Sequence, residues 1–473
     1  MTLTLVIVVI LTALVFDFTN GFHDSANAMA TSVATGAFKP KVAVLIAAVL
    51  NFVGASLSTE VAKTISSGIV NDQLITPAIV FAGLVGAILW NLITWLLGLP
   101  SSSSHAMFGG LIGAVVMSAG LAGINPGVIV SKILLPALVA PVVAGVAAGI
   151  ATWLAYRITD HTAHHASRTF RLGQRVSASM VALAHGTSDG QKTMGLITLV
   201  LVAGGYQASG TRPYEWVIVA AGLAIAAGTY SGGWRIMRTM GKGLVEIEPP
   251  QGFAAETAAT AAILASSHLG FGLSTTHVCS GAILGSGVGR RTTVNWRIAG
   301  RMGSAWLLTL PAAAIVGALS AVVVRQGTWG FFVMLVVLIA AALVIMRISQ
   351  HHKVDHNNVT DAADVNVLPG KAVRGTNGRI RVFTTPAVTD DGISLSLTDD
   401  LLATPSTLSV GDHSGVAQSN SALTPNVISS PPPVPVAAET IAATRPAVLV
   451  APHPRRRSRR ADRGRHNHQA VTA

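Results

Sequence analysis

Two short polar stretches interrupt an apolar sequence, and both carry residues able to hold ions. The first is Gly21-Phe22-His23-Asp24-Ser25-Ala26-Asn27-Ala28, after the apolar run Leu3 to Val15. The second is His185-Gly186-Thr187-Ser188-Asp189-Gly190-Gln191-Lys192, between the apolar runs Met180 to Ala184 and Met194 to Ala203. An aspartate in mid-membrane is costly unless it lines a protein cavity or meets a cation, so Asp24 and Asp189 mark a substrate or ion site. Two such sites at corresponding places in two half-chains form the pattern of a secondary transporter. The plainer alternative is that both carboxylates cap broken helices.

Two hydroxyl clusters add an anion-binding element. Ser101 to Ser104 precede His105 and the Gly-rich apolar run Ala106 to Gly120; Ser274-Thr275-Thr276-His277 precede Val278 to Val288. A helix N-terminus favours negative charge through its unpaired N–H groups and its dipole. Two opposed N-termini, each with hydroxyls, suit a tetrahedral oxyanion such as phosphate or sulfate. Alone, the serine run would read as an ordinary N-cap. The carboxylates would repel the anion unless a proton or a hard cation sits between them, and oxygen ligands suit Na⁺ or Mg²⁺. Anion donors beside carboxylates are what a cation-coupled anion symporter requires. Phosphate near pH 7 carries a proton that it can donate to a carboxylate and sulfate does not, which favours phosphate over the runner-up, a sulfate permease. A metal–phosphate complex also fits. Lys192 either pairs with Asp189 or meets the anion. Glu256, inside an apolar helix, is a further coupling-ion candidate, whereas Asp17 and Glu60 near span ends are expected to snorkel to water. His105 and His277 are expected to hold their loops by hydrogen bonds.

The elements that must position these residues are transmembrane helices. The chain is 51% hydrophobic and 11% charged, too apolar for an ordinary soluble protein of its length. Spans are expected near 2–18, 41–59, 75–97, 106–121, 133–155, 176–204, 214–230, 252–268, 276–288, 302–324 and 330–348. The short runs 106–121, 252–268 and 276–288 suit broken or re-entrant segments facing a cavity. Cys279 is the sole cysteine, so no intrachain disulfide forms. The N-terminus lacks a basic region and a cleavage site, so its first apolar run is expected to be retained. From His351 onward the composition is polar and Pro-rich, ending in Pro454-Arg455-Arg456-Arg457-Ser458-Arg459-Arg460, and a disordered tail is expected. Only Arg379 to Phe383 and Ala447 to Val450 resemble strands there. His161, His164 and His165 fit no closed metal site.

Charge and repetition set the organisation. With the N-terminus outside, the inside loops hold Lys39, Lys41, Arg157, Arg168, Arg171, Arg175, Arg235, Arg238, Lys242, Arg290 and Arg291, among others. The outside loops then keep little beyond Lys63, Lys132, Arg212 and Arg325, a strong positive-inside bias. Five spans in the first half start the second from the opposite side, which makes the halves inverted. Lys63 to Val70 matches Arg238 to Val245, and Pro100 to His105 matches Gly272 to His277. Together with the two signature stretches, these pairs lie about 165 to 175 residues apart in the same order, which marks a duplicated half-transporter. The expected domains are an N-terminal repeat over 1–156, a basic cytoplasmic connecting loop over 157–175, an inverted C-terminal repeat over 176–350 and the tail over 351–473.

These motifs resemble the inorganic phosphate transporter (PiT) family. Gly21 to Ala28 is similar to its first signature and His185 to Lys192 to its second. Gln251-Gly252-Phe253-Ala254-Ala255-Glu256 with Leu273 to His277 resembles its C-terminal pattern. The resemblance spans roughly residues 1–350 and implies two Ser/Thr–His hairpin loops that surround phosphate and its coupling cations at the bilayer midplane. It places Asp24, Asn27, Asp189 and Lys192 on signature positions and Ser103, Ser104, Thr275 and Thr276 on loop positions. One departure stands out: Ser188 occupies the place of the family's usual Asn, which favours H⁺ over Na⁺ as the coupling ion.

The whole reading is therefore an all-α, polytopic membrane protein with inverted repeats, broken helices and two re-entrant hairpin loops. It is expected to carry phosphate by symport, with phosphate bound by Ser103, Ser104, Thr275, Thr276, Asp24, Asn27, Asp189 and Lys192. The coupling cation would engage Asp24, Asp189, Glu256 and Asn27. No cofactor, catalytic residue or nucleic-acid partner is expected; the partners are phosphate, the bilayer of a bacterial plasma membrane and, in one arrangement, a second copy of the chain. A hydrolase triad of Ser104, His105 and Asp24 is disfavoured, because adjacent Ser and His rarely form a nucleophile–base pair and the Ser–His loops are mirrored. A channel would need a continuous polar lining, whereas the polar residues cluster at two breaks.

Overall fold

The apolar runs fold into helices, and the polar stretches stay inside them. The computed structural model describes residues 3–159, 163–351 and 353–360, with the strand residues 388–389 and 392–393. The chain divides into two compact units, Met1–Gly378 and Arg379–Ala473. In the second, β1 (Val388–Thr389) pairs antiparallel with β2 (Gly392–Ile393). The strand-like runs 379–383 and 447–450, the Arg455–Arg460 cluster and His161 lie outside the described residues.

The first unit is helical. In chain order it has α1 (Leu3–Ala34), α2 (Pro40–Ala55), α3 (Glu60–Ser67), α4 (Pro77–Leu96), α5 (Ser103–Ala119), α6 (Pro126–Ile129) and α7 (Leu135–Thr159). Then come α8 (Ala163–His185), α9 (Gln191–Ala203), α10 (Glu215–Ser231), α11 (Trp234–Arg238), α12 (Pro249–His268), α13 (Thr275–Arg290), α14 (Trp296–Val324) and α15 (Thr328–His351). Prolines at the first turns of α2, α4, α6 and α12 fit positions whose N–H has no intrahelical partner.

Neither signature breaks its helix, contrary to the expected span end at residue 18. α1 continues for 32 residues through Asp24. Its polar side chains find partners on neighbouring helices and leave the backbone ladder intact: Ser25 Oγ, for example, accepts the Gly233 N–H at 2.6 Å. The second signature is a π-helical turn, Gly186–Gly190, that joins α8 to α9. The real bends lie elsewhere, at 69° between α2 and α3 and at 60° between α10 and the helix that starts at Trp234.

Among the described residues five helices, counting α6–α7 as one, are by themselves long and apolar enough to cross a membrane, or up to seven if each bent pair is one span. The remaining expected spans are shortened or carry the polar residues of the centre. Large apolar side chains point outward along one face of α7 (Leu138, Val142, Val146, Ile150) and on α14 and α15, as a lipid-facing surface requires. Inside, two apolar clusters divide at the first signature: one takes α1 up to Phe22, the other begins at Ala26.

Several helix contacts come in matched pairs across the first and second halves of the chain. α5 packs on α14 as α13 packs on α7, and α1 on α10 as α8 on α2. Small residues make these contacts close: a side chain at Gly113 would overlap the backbone of Ala314, and one at Gly285 that of Gly145. Smaller details are matched as well. Isolated bridges join Val70 to Ile124 and Val245 to Val294. Asn125 and Asn295 cap the following helices by accepting the Val128 and Ile298 N–H groups.

Residues 353–360, which composition assigns to the tail, pack on the helical unit. Arg238 donates to the Asn358 carbonyl at 2.9 Å and Val359 is buried in the second apolar cluster.

Candidate functional site

The hydroxyl loops are hairpin tips between α4 and α5 and between α12 and α13. Ser102 and Ser274 are the N-caps, each accepting the N–H three residues on, from His105 at 3.1 Å and His277 at 3.2 Å. Capping therefore consumes one serine per loop. It leaves Ser103 and Ser104, and Thr275 and Thr276, as the first residues of α5 and α13 with hydroxyls directed at the signatures. Both histidines contribute to the cap through the backbone. Their rings pack edge to face, centroids 4.8 Å apart, and Trp306 lies against His277 at 4.4 Å. The histidines thus hold their loops through the cap hydrogen bonds of their N–H groups and through this contact between the tips.

All eight residues expected around the anion converge in one buried cluster. Asp24 accepts from Ser103 Oγ at 2.5 Å, from Thr276 Oγ1 at 3.2 Å and from the neighbouring His23 Nδ1 at 2.7 Å. Asn27 Nδ2 donates to Thr276 Oγ1 at 3.0 Å and reaches Thr275 Oγ1 at 3.5 Å. Lys192 Nζ meets Asp189 Oδ1 at 2.5 Å, Ser104 Oγ at 2.5 Å and the Leu273 carbonyl at 2.9 Å, which uses all three ammonium donors. Thr275 Oγ1 donates to Asp189 Oδ2 at 3.4 Å. Lys192 thus does both things the sequence left open: it pairs with Asp189 and it touches a loop hydroxyl.

Two histidines of the signatures complete the centre. His185 Nδ1 lies 3.1 Å from Asn51 Oδ1, whose amide nitrogen donates to Thr229. This assigns Nδ1 as the donor, and Nε2 is left facing Asp24 at 3.9 Å and Asp189 at 3.6 Å. One ligand atom each from Asp24, His185 and Asp189 fall within 4.8 Å of one another, close enough to hold one cation. His23 is fixed from behind by Thr94 and Ser101, each 3.2 Å from Nε2. The signal for His185 was present in its spacing, four residues before Asp189 and so on the same helix face. Ser188 is buried, and its hydroxyl meets no partner among the described residues.

Glu256 stands apart from this cluster. Its carboxylate accepts from Thr31 at 2.5 Å, Ser177 at 2.5 Å and Gln174 at 3.1 Å. A small cavity with room for about one water, lined by Asn27, Thr31, Glu256 and Cys279, lies beside it. Asp17 corrects the snorkelling expectation. It is fully buried, because the helix expected to end at residue 18 continues to Ala34. Glu60 behaves as expected, exposed and paired with Lys63 at 2.8 Å. Asp17, Asp24 and Thr31 recur every seven residues, which stacks them along one side of α1 about 10.5 Å apart.

Comparison with known proteins places this arrangement. A match to the phosphate transporter family spans residues 20–317. A probable low-affinity inorganic phosphate transporter of Mycobacterium leprae is 52% identical over 78% of this chain and 90% of that protein. A protein of the same description from Bacillus subtilis (strain 168) is 41% identical over 67% of this chain and 96% of its own length. Among solved structures, one described as "The sodium-dependent phosphate transporter" superposes with a TM-score of 0.62 at 22% identity, covering 68% of this chain and all of that one. That likeness establishes the shared helical fold. With the family match covering more than half of the chain and both signatures inside it, this multi-pass, non-enzymatic protein belongs to the phosphate transporter family.

Proposed function

We propose that the chain takes up inorganic phosphate across a bacterial plasma membrane by cation symport, with H⁺ as the coupling ion. The observation that carries the reading is His185 Nε2 facing two carboxylates at 3.9 and 3.6 Å with its other nitrogen committed to Asn51. Two buried carboxylates that face one ring nitrogen leave a place for a positive charge among them, which the coupling cation supplies. The neutral Asn usual at position 188 in the family is replaced here by an unpartnered hydroxyl, which removes a carbonyl ligand for Na⁺.

Phosphate would be held by the hydroxyls of Ser103, Ser104, Thr275 and Thr276, by the free N–H groups at the starts of α5 and α13, and by Lys192. Those hydroxyls now serve Asp24, Asp189 and Lys192. Coupling follows from that competition. A cation on the carboxylates satisfies their oxygens and releases the hydroxyls to turn to the anion, so the sites for the two ions assist each other. Asn27, bonded to both threonines, links the anion loop to the cavity beside Glu256, a further station for the coupling ion.

Alternating access would come from rocking of inverted halves, 1–156 and 176–350, about this centre, with the 157–175 loop and the tail inside and the N-terminus outside. The exchanged packing partners support two related halves. A second reading, Na⁺ coupling, is favoured by the three ligand atoms within 4.8 Å and by the sodium dependence of the solved transporter that shares the fold. The carried species under either reading is free phosphate or its metal complex.

Phosphate uptake into proteoliposomes under separately imposed gradients tests this. Accumulation driven by an inward H⁺ gradient in Na⁺-free buffer is expected, with excess sulfate failing to compete. Accumulation under a Na⁺ gradient alone would install the second reading, and competition by sulfate would reassign the anion.

A further inference from the structure

Asp17 is a buried carboxylate that the central site does not use. Among the described residues no group meets either of its oxygens in hydrogen-bond geometry. Asn20, one turn along α1, and Thr193, on the facing helix α9, are its polar neighbours. The Asn20 carbonyl oxygen and the Thr193 hydroxyl are likewise buried and unpartnered. The charged groups that reach Asp17 are Asp189 and Lys192, which already pair with each other at 2.5 Å. Asp24 has His23 and Asp189 has Lys192, whereas Asp17 makes no ion pair among the described residues.

The four buried oxygens of these three neighbouring residues thus lack a hydrogen-bond partner of good geometry among the described residues. A buried carboxylate is not stable as a bare anion among acceptors. An all-oxygen set of one carboxylate, one amide carbonyl and one hydroxyl suits a small hard monovalent cation and excludes soft metals and anions. Position adds to the chemistry. Asp17 precedes Asp24 by two helical turns on the same side of α1, and Thr31, which bonds Glu256, follows it by two turns. The central site is therefore flanked on both sides by a buried acid.

We infer that Asp17, Asn20 and Thr193 form a second cation site, which takes one proton or Na⁺ on the side of the centre opposite Glu256. The inference rests on cation coupling at the centre. Given that coupling, the site is a waypoint: it exchanges its cation with Asp189 across one turn of α9 and loads the centre without itself touching phosphate.

The test uses the full chain in proteoliposomes, with phosphate–phosphate exchange measured at zero gradient and net uptake measured under an H⁺ or a Na⁺ gradient. For Asp17→Asn, exchange should stay within about twofold of the parent, while gradient-driven uptake falls to about a tenth or less. The gradient whose effect disappears names the cation. Thr193→Val should raise the half-saturation concentration for that cation about tenfold and leave that for phosphate unchanged. Retained gradient-driven uptake in Asp17→Asn overturns the site, and so does loss of exchange together with uptake. If Asp17→Asn does not reach the membrane, Thr193→Val decides: an unaltered cation dependence ends the proposal. A parent driven by neither gradient removes the symport reading itself, whatever the variants do.

Discussion

The two signatures hold equivalent aspartates in unlike surroundings. Asp24 sits on an uninterrupted α-helix and its close partner is the imidazole of His23, with two loop hydroxyls alongside. Asp189 sits in a π turn and its close partner is the ammonium of Lys192. Position 27 of the first signature, an amide that only touches threonines, corresponds to that lysine. The same acid thus stands beside an imidazole in one signature and beside an ammonium in the other. The ammonium also bonds Ser104 and the Leu273 carbonyl and so ties the second signature to both loops, whereas the imidazole is held by Thr94 and Ser101.

The largest expected effect breaks the halves apart by stability. Asp24→Asn and Asp189→Asn should each abolish phosphate uptake, but for different reasons. Removing Asp189 leaves Lys192 buried with only a hydroxyl and a carbonyl, a loss of about 3–5 kcal/mol. Removing Asp24 leaves an imidazole and two hydroxyls from which an amide oxygen can still accept, a loss of about 1–2 kcal/mol. Thermal unfolding in detergent should rank the two variants accordingly, and Asp189→Asn with Lys192→Met should regain stability without regaining transport. Equal stabilities for the two single variants would erase the distinction between the halves.

A smaller effect tests what the halves share. Ser104 and Thr276 hold matched positions, one on Lys192 and the other on Asp24. Losing a hydrogen bond to a charged group costs about 1.5–3 kcal/mol, or about tenfold to a hundredfold in affinity. Ser104→Ala and Thr276→Val should each raise the half-saturation concentration for phosphate by about that factor, and the double variant should depart from additivity because both grip one ligand. Unchanged affinity in both would make the hydroxyls structural.

The smallest concerns Ser188. Ser188→Asn gives the second signature the amide usual in the family, at some packing cost in a buried turn. Stimulation of uptake by Na⁺ should rise by about threefold. No change would detach residue 188 from ion choice.

The parts legible in the sequence were those written twice. Both signatures and both hydroxyl loops follow from stretches matched at nearly one spacing, and the structure brings their residues to one centre. What the sequence hid depends on contacts between distant segments. Continuity of α1 rests on partners such as Gly233 for Ser25. The π turn rests on Gly186 packing directly on the backbone of Asn51. Three donors for Glu256 come from two other helices. Asp17 misleads for a local reason: the apolar run stops near it, and the helix does not.

The seven-residue spacing of Asp17, Asp24 and Thr31 has an electrical meaning. From the first to the last the helix rises about 21 Å, against a hydrocarbon core of about 30 Å. A monovalent ion carried along that column crosses about two thirds of the membrane field, equivalent to about 1.5 kcal/mol for each 100 mV of membrane potential. The resting voltage of the cell would thus act on the transporter through one face of one helix, and flux recorded at clamped potentials would report how far along that face the slow step lies.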